Sequence, residues 1–396
     1  MRYRLGVLCT HPIQYYAPWF RYLAKRLDLQ VFYGHRQDAT GQAAAGFNVE
    51  FDWDVPLLDG YPYHWLTNVS RRPDLRTFRG LDTPELYQLI QKERFDAFLV
   101  FGWNHKSSLQ AIRACWQTGV PVFMRGDSHL LTKRSLARSV IKYLPYRWFL
   151  PRLDAHLYVG ARNKSYLQHY GVSDDRLFFI PHFVDNAFFA EASENSKRVG
   201  KTSELRMAAG IPKDAFVFLF VGKMVPKKRA GDFVRVCLRI FGLPEGRNVH
   251  ALLVGEGPLR ESLGQLARAG AGLIHFVGFR NQSELPSFYA ASDALVLPSD
   301  GAETWGLVVN EAFACGIPAV VSDACGCAPD LIEEGRTGYT FPVGDVDLLS
   351  QRMLALKELC EKKPAMLSEA LAKKASDYSL EKATEGLVRA LSMVTK

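Results

Sequence analysis

Short apolar runs and amphipathic stretches alternate along the first 190 residues of the chain. The apolar runs are five to eight residues long, as expected for buried strands. The stretch that follows the first run has apolar residues at helical spacing, for example Ile13, Tyr16 and Phe20. Strands that alternate with helices predict an α/β domain with a doubly wound parallel sheet. The predicted strands are residues 4–9, 29–33, 95–102, 120–126, 156–160 and 177–182.

A second series of the same kind follows a polar segment at residues 186–214, which contains EASENSKRVGKTSE and is interpreted as the interdomain linker. Helical stretches fill residues 345–395. The pattern predicts two Rossmann-like domains, at residues 1–190 and 191–375, and a C-terminal helix at 376–396. The strands of the second series are predicted at residues 216–221, 250–254, 273–277, 294–297, 319–322 and 338–342.

The central stretch is residues 294–342, where a strand, a polar loop, a helix at 304–314 and a further strand are predicted. Glu303 precedes that helix and Glu311 lies inside it, about 12 Å away at 1.5 Å per residue. This is too far for two carboxylates acting on one glycosidic bond, but it suits two acids that hold the ends of a polyhydroxyl ligand. The amides of Gly306 and Leu307 at the helix start favour an anion such as phosphate.

The pattern E-x7-E followed by A-x-A-C-G-x-P (residues 312–318) resembles the signature of the retaining family 4 glycosyltransferases. The resemblance implies the GT-B fold, with two domains facing a cleft and the C-terminal helix crossing back to the first domain. It also implies that Glu303 holds hydroxyls of the donor sugar and that Glu311 holds the ribose. Without the resemblance, the two glutamates could be one solvated and one salt-bridged residue of an ordinary helix.

Cations follow the first strand of the second domain, in Gly222-Lys223-Met224-Val225-Pro226-Lys227-Lys228. The resemblance assigns Lys223, in place of the usual Arg, and Lys228 (or Lys227) to the donor diphosphate. Positive charge suits this place because the leaving diphosphate gains negative charge. Lys lacks the bidentate fork of Arg. The alternative is a solvated basic turn.

Most of the remaining candidates come from the resemblance. His11 and Gln14 instead follow the first strand, at a carboxyl end where parallel sheets bind ligands, and they replace a Gly-Gly loop of the family. Glu256 lies in a G-x-G-P turn beside the nucleotide, and Phe279 and Arg280 hold the base through their backbone. In the first domain, Asp127 occupies the position of a histidine of the family, and His129 is the nearest histidine; a surface loop is the alternative for both. The expected catalytic residues are Glu303, Lys228, Lys223, Asp127 and His129, and the expected binding residues are Glu311, Gly306, Leu307, Thr304, Phe279, Arg280, Gly222, Glu256, His11 and Gln14.

Composition limits the function classes. The chain has 396 residues and a mean hydropathy of −0.08, which is typical of a folded two-domain protein. Its seven cysteines do not form a zinc motif, and no apolar run reaches the length of a membrane span. The Asp52-Trp53-Asp54 and Asp345-Val346-Asp347 pairs are placed outside the donor region, so no metal and no cofactor are expected. A cytoplasmic protein is predicted.

The formal net charge of +8 lies entirely in residues 1–190, where 24 Lys and Arg face 16 Asp and Glu. This asymmetry indicates an anionic partner for the first domain. Residues 132–153 hold six cations and no acid, and they could rest on an anionic membrane, which suggests a peripheral location on the inner face of the plasma membrane. The alternative is a crossover helix whose apolar face packs on the sheet. Nucleic acid is not an expected partner.

Together with these observations, the resemblance implies a retaining, metal-independent glycosyltransferase that moves a hexose from a nucleotide diphosphate sugar to a glycan or lipid-linked acceptor. A nucleotide-sugar 2-epimerase of the same fold and a non-catalytic nucleotide-sugar-binding protein are the alternatives.

Overall fold

The computed structural model describes residues 2–132, 136–270 and 272–395, without the side chains of residues 136, 138 and 139. The chain folds into two parallel β-sheets, each covered by helices on both faces. The first sheet has the strand order β3-β2-β1-β4-β5-β6-β7, and every neighbouring pair is parallel. Its strands are β1 (Arg4–Cys9), β2 (Asp28–Tyr33), β3 (Tyr63–Trp65), β4 (Ala97–Phe101), β5 (Val122–Gly126), β6 (Ala155–Tyr158) and β7 (Leu177–Phe179). Its helices are α1 (Tyr16–Ala24), α2 (Ala39–Gln42), α3 (Leu86–Glu93), α4 (Lys106–Thr118), α5 (Leu136–Phe149) and α6 (Ala161–His169).

The second sheet has the order β10-β9-β8-β11-β12-β13 and is parallel throughout. The helices α7 (Asn186–Arg198) and α8 (Lys201–Ala208) precede it. Its strands are β8 (Phe216–Val221), β9 (Val249–Val254), β10 (Ile274–Gly278), β11 (Ala294–Leu297), β12 (Ala319–Ser322) and β13 (Gly338–Phe341). The helices that follow β8 are α9 (Ala230–Phe241), α10 (Arg260–Ala267), α11 (Leu285–Ala290), α12 (Val308–Ala314), α13 (Ala328–Leu331), α14 (Val346–Lys362), α15 (Pro364–Asp377) and α16 (Leu380–Val394).

The central strands are apolar throughout because both of their faces are covered. In β8, alternate residues enter two different cores: Val217 and Leu219 pack on one side of the sheet, and Phe218 and Phe220 pack on the other. This is the pattern expected for a parallel sheet between two helix layers. The predicted fold class, two doubly wound α/β domains, is confirmed.

The last helix, α16, packs against the first sheet although it follows the second domain in the chain. Leu387 and Leu391 are fully buried in the same core as Trp19. The indole N–H of Trp19 donates a hydrogen bond to Thr384 Oγ1 at 3.1 Å. The C-terminal helix thus ties the end of the chain to the first domain.

Residues 186–214 are not an irregular linker, because most of them form α7 and α8. Asp185 caps α7 by accepting a hydrogen bond from the backbone N–H of Phe188. Phe189 is buried in the second-domain core, and Ser196 Oγ lies 2.8 Å from Ser287 Oγ of α11. The polar composition reflects the exposed face of a helix whose buried face uses small residues.

The helix predicted at 304–314 is shorter than expected and begins at Val308. Gly306 has a φ of +110°, which favours glycine, and a Cβ at this position would come within 2.7 Å of the Leu297 side chain. Glu303 therefore lies in an irregular loop. The separation of 12 Å, which assumed a continuous helix, does not apply.

Candidate functional site

A cleft of about 710 Å³ lies between the two domains. Parallel α/β sheets bind ligands at the carboxyl ends of their strands. Here the segment after β1 and the segments after β8, β9 and β10 all line the same cleft. Ten of the predicted site residues line it: His11, Gln14, Gly222, Lys223, Lys228, Glu256, Phe279, Arg280, Glu303 and Glu311.

Glu303 and Lys228 form an ion pair in the cleft. Lys228 Nζ lies 2.6 Å from Glu303 Oε2, and the two side chains are only 12% and 11% exposed. Gly222, which lies beside the Lys228 side chain, has a φ of +154°, a backbone conformation that favours glycine. Burial opposes ionisation of Glu303, but Lys228 and Lys227 outweigh it and hold its pKa below the ordinary value. The carboxylate is therefore ionised at neutral pH.

The loop that carries Glu303 is held by the first domain. The Glu303 carbonyl accepts a hydrogen bond from Gly326 N–H, and His129 Nε2 lies 3.2 Å from the same carbonyl. His129 Nδ1 accepts from the backbone N–H of Leu131, so the proton of the neutral ring is on Nε2 and donates to Glu303. His129 is buried and lies outside the cleft lining. It positions the Glu303 backbone across the domain interface.

Asp127 is in a similar position. Its Oδ2 accepts a hydrogen bond from Thr304 Oγ1 at 2.6 Å, which is a second link between the first domain and the Glu303 loop. Asp127 and Thr304 do not line the cleft, and Gly306 and Leu307 do not line it either. Thr304, Gly306 and Leu307 were predicted at the start of a helix, but they precede α12, which begins at Val308. The roles assigned to these four residues in binding and catalysis remain predictions.

Glu311 is fully buried at the floor of the cleft, beneath two tyrosines. Tyr15 of the first domain donates to Glu311 Oε1 at 2.7 Å, and Tyr289 of the second domain donates to Oε2 at 2.6 Å. Burial raises the pKa of Glu311 to about 7, although both hydroxyl hydrogen bonds and the charge of Lys228 act to lower it. Glu311 is thus a carboxyl group that titrates near neutral pH and joins the two domains.

Lys223 contacts the first domain. Its Nζ donates to the carbonyl of Ala45 at 2.7 Å and lies 3.9 Å from the centre of the Phe47 ring, within cation–π range. Burial, followed by repulsion from Lys227 and Lys228, lowers the pKa of Lys223 to about 8. The structure therefore excludes a solvated basic turn at this position.

Residues 38–54 of the first domain, which we name the strap, cross to the second domain beside Phe279. The Phe51 and Phe279 rings are 4.2 Å apart between centroids, and Phe47 is 5.7 Å from Phe279. The carbonyl of Asp52 accepts from Asn281 Nδ2 at 2.7 Å. The strap covers the side of the cleft where Phe279 and Arg280 lie.

The Asp52-Trp53-Asp54 segment lies against the second domain, where Trp53 lines the cleft and neither Asp52 nor Asp54 does. Asp54 Oδ1 accepts from the backbone N–H of Ser283 at 3.1 Å, and the Ser283 hydroxyl donates to Asp54 Oδ2. Within the described residues, no three His, Cys, Asp or Glu side chains are grouped to hold a metal ion.

The other predicted residues at the cleft have local partners. Glu256 Oε1 lies 4.0 Å from Arg260 Nε, and Arg280 Nη1 lies 3.5 Å from Glu284 Oε1. Burial, together with the nearby His35 and His105, lowers the pKa of His11 to about 4. His11 is consequently neutral at physiological pH and does not supply positive charge to the cleft.

Several cleft residues were not predicted from the sequence. Tyr15 directly follows Gln14, so the position of the β1 strand end could have indicated it. The strap residues had no such signal, because residues 34–80 have no strong periodicity and their contacts are with a distant part of the chain. The missed lining residues include Tyr15, Gln37, Gln42, Phe47 and Trp53.

Comparison with known proteins places this cleft in a family context. Residues 215–358 match the family model of glycosyl transferases group 1. The matched segment contains Lys228, Glu303 and Glu311. The second domain therefore carries the sequence pattern of that family.

Curated relatives align with part of the chain. The sulfoquinovosyl transferase SQD2 of Arabidopsis thaliana is 34% identical over 158 residues, which are 39% of this chain and 29% of the relative. A D-inositol 3-phosphate glycosyltransferase of Geodermatophilus obscurus is 28% identical over 239 residues, which are 57% of this chain and 49% of the relative. The chain thus spans less than half the length of these relatives.

Solved structures match the whole chain. Anabaena HepE in complex with UDP-glucose has a TM-score of 0.70 at 17% identity and covers 99% of this chain and 100% of its own. A glycosyltransferase of Rickettsia africae has a TM-score of 0.74 at 16% identity and covers 100% and 99%. These matches establish the GT-B fold for both domains.

The buried Glu311 predicts that stability depends on pH. The carboxyl titrates near 4.5 when unperturbed and at about 7 in the folded protein. Because the folded state holds this proton more tightly, stability that is present below about pH 4.5 is lost as the pH rises through 7. At about 1.4 kcal/mol per pKa unit, the loss is up to about 3 kcal/mol. Glu311→Gln cannot ionise and should gain stability relative to the wild type between about pH 5 and about pH 8.

Urea unfolding of the wild type and of Glu311→Gln, at about pH 5 and at about pH 8, measures the difference in their free energies of unfolding. Glu303→Gln is the matched control, because the pKa of Glu303 is lowered and its removal gives no such gain in this range. A stability difference between Glu311→Gln and wild type that does not change with pH would show that Glu311 titrates normally.

Proposed function

We propose that this chain is a retaining glycosyltransferase that moves a hexose from a nucleotide diphosphate sugar to a glycan or lipid-linked acceptor. The observation that carries the proposal is the buried Lys228–Glu303 ion pair in the interdomain cleft, inside the segment that matches glycosyl transferases group 1. The relatives named above are glycosyltransferases, and HepE was solved with UDP-glucose.

The charges of the cleft support specific roles. Lys228 presents its ammonium group where Lys227 and Lys223 also line the cleft, which provides positive charge for a diphosphate. Such preorganised charge stabilises the leaving group as negative charge develops on it. Glu303, beside Lys228, is placed to accept hydrogen bonds from hydroxyls of the transferred sugar. A diphosphate and its sugar then occupy neighbouring positions along the cleft.

In this proposal the nucleoside lies on the side of the diphosphate that is away from the transferred sugar. Glu311 would accept hydrogen bonds from the ribose, for which one of its two tyrosine hydroxyls must move aside. Tyr15 is the partner from the other domain, so ribose binding would replace a contact between the domains. Phe279 and Arg280, beneath the strap, would hold the base.

The proposed chemistry uses the donor itself. The bond between the sugar and the phosphate breaks, a bond to the acceptor oxygen forms on the same face, and the acceptor proton passes to the leaving phosphate. This proposal requires no protein nucleophile. Metal independence belongs to the same proposal, because the three lysines supply the charge that a divalent cation would otherwise provide.

The two glutamates separate this proposal from its alternatives. A panel of UDP-, GDP- and ADP-sugars first identifies the donor by thermal shift. Glu303→Gln should then reduce sugar transfer while the affinity for the free nucleoside diphosphate stays nearly unchanged. Glu311→Gln should weaken both diphosphate and donor binding, about ten- to a hundredfold for a lost charged hydrogen bond. Calorimetry and a transfer assay, with and without EDTA, measure the two effects.

The outcomes have distinct meanings. Loss of diphosphate binding in Glu303→Gln but not in Glu311→Gln would reverse the assigned direction of the ligand. Release of a free or rearranged sugar would favour the epimerase, and donor binding without turnover would favour the binding protein. Loss of transfer in EDTA that is restored by Mg²⁺ would contradict metal independence.

We also propose that the first domain contacts an anionic membrane through α5. This helix has two apolar faces. Tyr143, Tyr146 and Phe149 pack towards the core, as expected for a crossover helix. The opposite face exposes an apolar stripe with relative exposures of 71%, 72%, 73% and 56%, formed by Val140, Ile141, Leu144 and Trp148.

Cations accompany this stripe. Lys142, Arg147 and Arg152 lie in or beside α5, and the first 190 residues hold all of the net positive charge. Lys133 and Arg134 of the same basic stretch lie outside the described residues, and the side chain of Arg138 is not described. An apolar stripe flanked by cations is suited to the interface of an anionic bilayer. None of the described helices is long and apolar enough to cross a membrane.

The membrane proposal is tested by removing the stripe. Ile141→Ser with Leu144→Ser should weaken binding to vesicles of phosphatidylglycerol and phosphatidylcholine by about tenfold or more, since burying one such side chain is worth about 1.5 to 3 kcal/mol. Wild-type binding should also fall with added salt, which screens exposed charges. Vesicle sedimentation measures both.

A matched control replaces Val199 and Met207, which are 60% and 76% exposed on the second-domain side of the chain, by Ser. This pair should leave vesicle binding unchanged. Equal binding of the wild type to neutral and anionic vesicles, or to neither, would contradict a contact with an anionic membrane.

A further inference from the structure

A second large groove, of about 1080 Å³, lies on the first domain outside the cleft. Its walls are the loop at residues 69–82 and the exposed face of α4. Five cationic side chains and two carboxylates line it, which gives a net charge of +3. These charged residues are Arg71, Arg72, Arg79, Lys106 and Arg113, together with Asp74 and Asp82.

Both carboxylates of the groove already have partners. Asp82 accepts from Lys106 Nζ at 2.6 Å and from Gln110 Nε2 at 2.8 Å. Asp74 Oδ1 accepts from the backbone N–H groups of Arg76 and Thr77, at 2.7 and 2.6 Å, and closes its own turn. Asp82 offsets Lys106, so among the described residues Asp74 is the one lining carboxylate left to offset the four arginines, and a net charge of +3 remains.

The four arginines are exposed and line the groove, three of them on the loop at 69–82 and Arg113 on α4. In residues 2–132, 136–270 and 272–395, none of their guanidinium groups makes an ion pair or a side-chain hydrogen bond. A cluster of like charges creates a positive potential that attracts an anion. Guanidinium groups bind phosphate oxygens in a bidentate manner, which makes a phosphate group the best match.

The groove adjoins the cleft. Leu75 lines the cleft, whereas Asp74 and Thr77, on either side of it in the chain, line the groove. His105 Nδ1 lies 3.2 Å from the Thr77 carbonyl and fixes this loop beside the start of α4. A molecule held in the groove by its phosphate could thus extend into the cleft.

We infer that the arginine groove binds a phosphate group of the acceptor. This inference rests on the proposed function, because it makes the groove the acceptor side of the donor cleft. The phosphate could belong to a soluble sugar phosphate or to the headgroup of a lipid. Exposed Leu109 and Phe78 also line the groove and offer apolar surface beside the arginines.

The exposed face of α4 connects the groove with α5. Leu109, Arg113 and Trp116 are spaced by four and three residues, so they share one helix face. The Trp116 ring lies 6.1 Å from the Phe149 ring at the end of α5. The exposed face of α4 therefore extends from the groove to the core-facing side of α5.

The groove is tested with inorganic pyrophosphate as the probe, in calorimetric titrations with the donor cleft saturated by the nucleoside diphosphate that binds best. Wild-type protein should still bind pyrophosphate. Arg72→Gln with Arg113→Gln, which removes one guanidinium from each wall, should weaken this binding by about tenfold or more. The affinity of the cleft for the nucleoside diphosphate should stay unchanged.

The matched control is Arg76→Gln with Lys92→Gln, which removes the same charge from exposed first-domain residues that line neither cavity. The control should bind pyrophosphate like the wild type. Equal weakening in both variants, or no pyrophosphate binding by the wild type, would overturn the inference. If the wild type binds pyrophosphate but no nucleoside diphosphate, that result would instead contradict the proposed function.

Two further titrations distinguish the phosphate sources. Glucose 6-phosphate represents a soluble acceptor, and phosphatidylcholine vesicles with phosphatidic acid represent a lipid phosphate. A loss in the Arg72/Arg113 variant for glucose 6-phosphate alone identifies a soluble phosphate, and a loss for the vesicles alone identifies a lipid. If the variant binds both probes as the wild type does, the groove is not a phosphate site.

Discussion

The buried ion pair between Lys228 and Glu303 is the interaction around which the cleft is built. Removing two charges from water is costly, and such a pair rarely adds stability over apolar packing. Its presence at the floor of an open cavity therefore indicates a site that is prepared for a charged or strongly polar ligand. The pair also explains why the supporting groups are arranged as they are. The Gly222 turn, which has a positive φ, lies beside the Lys228 side chain, and His129 holds the Glu303 carbonyl from the other domain.

The cleft depends equally on contacts that join the two domains. Tyr15 reaches Glu311 from the first domain, and Lys223 reaches back to Ala45 in the strap. These are hydrogen bonds to groups that a ligand would also approach. A ligand that displaces Tyr15 from Glu311 would couple occupation of the cleft to the contact between the domains. The raised pKa of Glu311 and the lowered pKa of Lys223 both arise because this interface excludes water.

The sequence predicts twelve of the thirteen strands described in the two sheets, because each of these twelve is a short apolar run. The strand β3 was not predicted, since its three residues are largely exposed and form no apolar run. The sequence predicts the site only in part. Residues 186–208 form helices despite their polar composition, since one face packs on the second domain through small side chains. The helix after Glu303 starts late because Gly306 adopts a positive φ, which a periodicity argument does not register. His129 and Asp127 point to the domain interface, a position that depends on tertiary contacts and not on local pattern. The strap was missed for the same reason.

The central claim is that the cleft binds a nucleotide diphosphate through Lys228. It is tested most directly by titrating the wild type and Lys228→Met with a nucleoside diphosphate and with the corresponding nucleoside. Loss of one charged contact should reduce the affinity for the diphosphate by about ten- to a hundredfold and leave that for the nucleoside nearly unchanged. Equal affinity of both proteins for the diphosphate, or an equal loss for both ligands, would contradict the claim.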